Sequence, residues 1–251
     1  MTAVLLGLAV AGSLVAGAII GGFSRLPERA AAAVTAFGGG ILFAAVALEL
    51  VPDADKRAGL VATAVGFLAG ALVYVAADAW LARNEGMDSM RRSSHAAAAG
   101  QVMAMKPGNA EAARGESIAA GLVVDGIPES FALGLTAAEG HVGLALLVGI
   151  VIANVTEAYG AAQPIVAGGR SRRFALGLLT TIALVLGGAA ILGGTALADV
   201  SDSIVGVSEA VAAGAVLAVV LISVAPYAFR EVSRWAAVAS ALGFVAGYLL
   251  T

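Results

Sequence analysis

Long apolar runs separated by short polar breaks extend along almost the whole chain. A helix that crosses a bilayer needs about 20 mostly apolar residues. On that criterion the pattern predicts eight spans: 2–22, 32–52, 58–82, 115–137, 141–167, 174–197, 203–226 and 234–251. The first run lacks the basic flank of a secretory signal and further spans follow, so it is expected to be a retained helix. One break is long. Residues 83–114, RNEGMDSMRRSSHAAAAGQVMAMKPGNAEAAR, are polar and rich in Ala, Gly and Ser. They read as a mobile loop that divides a single polytopic domain, 1–251, into three spans before it and five after. The expected fold class is therefore all-α integral membrane.

The charges give this layout an orientation, because Lys and Arg accumulate in short loops on the cytoplasmic side. Arg25 and Arg29 fall between spans 1 and 2, and Arg83, Arg91, Arg92, Lys106 and Arg114 between spans 3 and 4. Arg170, Arg172 and Arg173 fall between spans 5 and 6, and Arg230 and Arg234 between spans 7 and 8. Of the 14 bases only Lys56 and Arg57 lie on the other side, with Asp53, Asp55, Glu139, Asp199 and Asp202. Both termini are thus expected outside and the long loop in the cytosol. An error in the number of spans would have scrambled this partition.

Composition agrees. The chain is 60% hydrophobic and 12% charged, against roughly 25% charged residues in soluble domains. It contains no cysteine, which excludes disulfides and thiolate metal sites. No basic run interleaved with aromatics supports nucleic-acid binding. No nucleophile constellation or phosphate-cradling loop points to an enzyme or an ATP-driven pump, and no organic cofactor is expected. Glycine is abundant at 33 residues, as in AFGGGILFAA (36–45) and VLGGAAILGG (185–194). Small residues let helices approach closely in lipid, where packing replaces the hydrophobic effect as the cohesive force.

Against this apolar background the ionisable residues stand out, because charge in a bilayer core is costly. Glu49, Asp78, Asp125, Glu129, Glu157 and Glu209 all fall within the spans. All are acidic, and no base is expected at comparable depth, so they must be protonated, hydrogen-bonded or bound to a cation. In VDGIPESFALG (124–134), Asp125 and Glu129 are four apart and share a helix face. Pro128 between them cannot donate to the carbonyl of Val124, and carbonyls released in this way can turn toward an ion. Gly126 eases distortion and close approach. In IVIANVTEAYGAAQP (150–164), Asn154 and Glu157 are three apart and again share a face. Two adjacent helices presenting oxygen donors can replace the hydration shell of one divalent cation.

The remaining polar residues have simpler readings. Asp78 precedes AWLAR and can reach Arg83. Glu49, Asp53 and Glu209 stand at the outer ends of spans 2 and 7, either as a cation-attracting vestibule or as ordinary interfacial residues. His95, Met87, Met90, Met103 and Met105 read as parts of a solvated linker, and His141 as an outer-loop residue.

The segment DGIPES (125–130) resembles the fourth-helix motif of the ZIP (Zrt-, Irt-like protein) family of divalent metal transporters, commonly His-Asn-x-Pro-Glu-Gly. ANVTEAYG (153–160) is similar to the fifth-helix motif, in which a His precedes a Glu by a few residues and a Gly follows. GGGILFAAVALELVPDA (38–54) and AAGAVLAVVLISVAPYAFRE (212–231) resemble further family segments that end in a Pro and an acid. The likeness covers nearly the whole chain, including eight spans, outside termini and a long loop after the third span. It implies that Glu129 and Glu157 are central metal ligands and that Glu49 lies near the outer pathway. It also places Asp125 where the family has His, Gly126 at the usual Asn, Ala153 at a His or Gln, and Asn154 at an acid or Lys. Span 6 offers no carboxylate for a second metal.

The resulting expectation is a transporter moving a divalent cation into the cytosol by alternating access. Asp125, Glu129, Glu157 and Asn154 would be its ligands. The resemblance favours zinc, whereas a site of oxygens without imidazole favours harder ions such as manganese or ferrous iron. Two other readings remain open: a transport-deficient membrane sensor or structural protein of the same fold, and a transporter of another cation. The resemblance implies a homodimer. With no targeting segment besides the spans, a prokaryotic plasma membrane is expected.

Overall fold

A computed structural model describes residues 1–83, 107–138, 142–196 and 200–251. The described residues form eight helices and no strand. They are α1 (Thr2–Phe23), α2 (Glu28–Ala58), α3 (Leu60–Arg83), α4 (Pro107–Ala138), α5 (Leu144–Ala167), α6 (Arg172–Ala196), α7 (Asp202–Val232) and α8 (Trp235–Tyr248). Seven are long and apolar enough to cross a membrane. The eighth differs from its expected span, 234–251. Its helix has only 14 residues, about 21 Å at the helical rise, and gives way to a turn at Leu249 and Leu250.

α4 begins at Pro107, well before its apolar stretch, so a helix occupies the last part of the expected 83–114 loop. The four methionines of that loop, together with His95 and His141, lie outside the described residues.

The packing pattern repeats. α1 lies against α5 and α6, and α6 lies against α1 and α4. α2 lies against α8 and α5, and α7 lies against α3 and α4. Exchanging α1 with α6, α2 with α7, α3 with α8 and α4 with α5 therefore carries the arrangement onto itself. Such pseudo-symmetry is what an internally repeated helical layout produces. Two groups follow from the same contacts. α1, α4, α5 and α6 pack among themselves, as do α2, α3, α7 and α8, and the groups meet where α2 crosses α5 and α7 crosses α4.

α2 and α7 share one backbone plan. Each has 18 residues of α-helix, five of π-helix and 8 more of α-helix. The cause is local. Pro52 and Pro226 cannot donate an intrahelical hydrogen bond, and the turn before each widens to accommodate the mismatch, with Val51 N–H bonding Val46 O and Ala225 N–H bonding Val220 O. Each helix then ends at a residue of positive φ, Gly59 at 80° and Ser233 at 52°, which turns the chain into α3 or α8.

Close helix approach depends on absent side chains. A Cβ on Gly40 would strike the Ser240 carbonyl of α8, and one on Gly214 the Phe67 carbonyl of α3. In lipid such backbone-to-backbone contact supplies much of the cohesion. The main apolar core runs through Leu14, Leu42, Leu133, Ile150, Leu186 and Val216, from α1, α2, α4, α5, α6 and α7.

Candidate functional site

α4 runs unbroken through Pro128. The proline thus removes one donor from within a continuous helix. Gly126 serves close approach as expected, since a Cβ there would meet the Leu186 side chain of α6. On the face thus formed, Asp125 and Glu129 are buried, 7% and 3% exposed. Glu157 of α5 is half-buried and lies within electrostatic range of both, so the three predicted carboxylates form one interacting set across the α4–α5 contact. They are not drawn around a single point. Among the described residues, no three His, Cys, Asp or Glu side chains are gathered closely enough to hold one metal ion.

Asn154, 1% exposed, is fixed from another helix. Its Nδ2 donates to Ser13 Oγ of α1 at 3.1 Å, and Ser13 donates in turn to Val10 O at 2.7 Å. Anchoring the amide through nitrogen leaves its carbonyl oxygen as the side-chain atom suited to a cation. Ser130, beside Glu129, is fully buried, and its hydroxyl makes no hydrogen bond among the described residues.

A further group at the site comes from the other helix group. The Tyr74 hydroxyl of α3 donates to Asp125 Oδ1 at 2.5 Å and lies 3.3 Å from Ser223 Oγ in the π-helical segment of α7. The signal for this contact was present in the sequence, because a tyrosine inside an apolar span needs a partner for its hydroxyl. Nothing in the spacing indicated Asp125 as that partner, 51 residues away. Ser13, a hydroxyl in the middle of α1, was missed for the same reason. Asp78, one turn beyond Tyr74 in α3, is engaged, while the Arg83 side chain lies outside the described set.

The outer acids are placed differently from one another. Asp53 accepts from Lys56 at 2.6 Å. Glu209, 1% exposed, has its Oε2 3.7 Å from Arg57 Nε, and Arg57 also lies 3.5 Å from Asp202. This corrects the expectation that no base reaches the depth of the buried acids. Gly206 lets the Arg57 stem lie flat on α7, where a Cβ would come within 2.7 Å of the Arg57 Cβ, and the long side chain then extends along the helix to Glu209. Glu49 faces the start of α5, with Oε1 2.7 Å from where a Gly143 Cβ would stand. A carboxylate is favoured there by the exposed N–H groups of the first helical turn.

On the opposite side of α5 from Gly143, Tyr159 ties down the α1–α2 connection. Its hydroxyl accepts from Leu26 N–H at 2.7 Å and donates to Leu26 O at 3.1 Å.

A scan against models of known protein families finds no match for this chain, and a search of curated proteins finds no relative.

Proposed function

We propose that this protein is a ZIP-like carrier that moves a divalent cation across a membrane through the carboxylates of α4 and α5. The observation that carries this reading is the mutual electrostatic range of Asp125, Glu129 and Glu157 at the meeting of two long apolar helices. Carboxylates placed together in a low-dielectric interior repel one another unless protons or a cation intervene. Asn154, oriented by Ser13, adds a neutral oxygen. A cation would draw these donors together, and its release would let them part. Zinc, manganese and ferrous iron are the ions to compare, since an oxygen-only donor set leans toward the harder ones.

The basic loops orient the carrier with both termini outside, and transport toward the cytosol is proposed from the family resemblance. Two pseudo-symmetric helix groups meeting at the site suit alternating access. The whole chain acts as a multi-pass membrane protein, and dimerisation is proposed from the family resemblance.

Uptake of Zn²⁺, Mn²⁺ and Fe²⁺ into liposomes tests the reading. Glu129→Gln with Glu157→Gln should lower flux by at least about 100-fold, as expected when two charge-assisted ligands are lost. Flux equal to that of the unmodified chain would remove transport from this site. A second reading, a transport-deficient membrane sensor of the same fold, draws on the fact that the three acids are not gathered about one point. It predicts cation binding without flux in the same liposomes.

A further inference from the structure

The Tyr74 hydroxyl belongs to α3, in one helix group, and its acceptor Asp125 belongs to α4, in the other. α3 and α4 otherwise barely touch, so this hydrogen bond bridges the groups where packing is sparse. A phenol has one proton. With that proton given to Asp125, Ser223 is left to donate to the phenol oxygen from α7. The resulting chain, Ser223 to Tyr74 to Asp125, runs across the boundary between the groups. It leaves α7 from the π-helical segment Val220–Val224, a type of helix irregularity often found at functional positions. Around it pack Ala71, Val124, Val219, Ile222 and Val224, an apolar surround in which a hydrogen bond to a carboxylate is strong.

We infer that Tyr74 is a positioning residue that latches the two helix groups together in the cation-free carrier by holding Asp125, and that an incoming cation competes with it for that carboxylate. The inference rests on the proposed cation site, and it gives that site a means of sensing occupancy. While Oδ1 accepts from Tyr74, Asp125 is tied to α3, and the three acids are not gathered about one point. Moving Asp125 into the ligand set breaks the bond to Tyr74, so binding and release of the groups become one event. Ser223 strengthens the latch by polarising the phenol. Neither residue need touch the cation.

The absence of native cysteine allows clean attachment of spin labels. Leu72→Cys on α3 and Leu184→Cys on α6, both 68% exposed, report the separation of the groups by pulsed electron resonance. Without cation, the labelled parent should give one narrow distance distribution. Tyr74→Phe should broaden it or add a second population, and Ser223→Ala should do so to a smaller degree. By isothermal titration with Mn²⁺, Tyr74→Phe should bind about tenfold more tightly, the size of one competing charge-assisted hydrogen bond. Adding Asp125→Asn should cancel that gain, whereas a merely structural tyrosine would weaken binding when altered. An unchanged cation-free distribution in both variants overturns the latch. So does a parent that binds Mn²⁺ with no gain in Tyr74→Phe. If the distribution changes but the parent binds none of the three ions, the latch between the groups stands and the cation reading fails.

Discussion

α2 and α7 pass through the same succession of α-helix, π-helix and α-helix, with a proline in the same place and a positive-φ residue at the end, yet their key polar side chains differ. Where α2 carries Glu49 in its π-helical segment, α7 carries Ser223. Where α2 ends in Asp53, Lys56 and Arg57, the matching positions of α7 are Tyr227, Arg230 and Glu231. The repeated part is backbone geometry, set by the prolines and by glycines at close contacts. The chemistry laid on it is one-sided: an ion-paired cluster at the end of α2, and a neutral hydroxyl that reaches Tyr74 from α7. A fold made of matched halves can therefore present two unlike polar environments on one backbone plan.

This contrast can be broken at its shared positions and sharpened at its unshared ones. The largest effect is expected at the shared glycines. Gly40→Ala and Gly214→Ala each force a Cβ against the backbone of a neighbouring helix, and overpacking of that kind costs about 3 kcal/mol. Both should lower the unfolding midpoint in detergent by similar amounts, and a large difference between them would undo the equivalence of α2 and α7. Next comes the unshared arginine. Arg57→Ala leaves Glu209 buried beside a lost partner. Because Arg57 is partly exposed, the cost should be about 2 kcal/mol, below that of breaking a fully buried pair. Glu231→Ala, at the matching place in α7, should stay within about 0.5 kcal/mol, as for an ordinary surface change. Equal effects at Arg57 and Glu231 would mean that the cluster is decorative. The smallest effects have opposite signs. Ser233→Gly should stabilise the chain by about 0.5 to 1 kcal/mol by removing a side chain from a φ of 52°. Gly59→Ala should destabilise it by about 1 kcal/mol, since its φ is 80°. Thermal unfolding of the two variants side by side checks both signs.

How much of this was legible in the sequence depends on the range of the interaction. Helix positions follow from apolar run length, a local quantity, and the structure has long apolar helices at seven of the predicted spans. The facing acids of α4 and α5 were likewise readable, because four-residue and three-residue spacings place side chains on one face. The π-helical segments were not foreseen, although the prolines that cause them were in plain view, since a proline kinks, widens or ends a helix according to what packs around it. Least legible were the long-range partners. Tyr74 with Asp125, Ser13 with Asn154 and Arg57 with Glu209 join helices far apart in the chain. Only the folded arrangement decides which polar side chain meets which. The expectation of unneutralised acids failed at Glu209 for that reason, because a base assigned to the loop end of α2 reaches along α7 to it.

The clasp of Tyr159 on Leu26 has a mechanical consequence. It fastens the α1–α2 connection, a link between the two helix groups, to α5, and so marks a level about which a tilt of one group against the other would turn. Glu157 is two residues from Tyr159, about 3 Å along the helix axis, whereas Gly143 is about 24 Å away. The lever arm is therefore short at the acidic set and long at the far end. A small rotation would swing Gly143 and Glu49 through several times the distance travelled by Glu157, leaving the acidic set almost stationary while the far end of α5 moves.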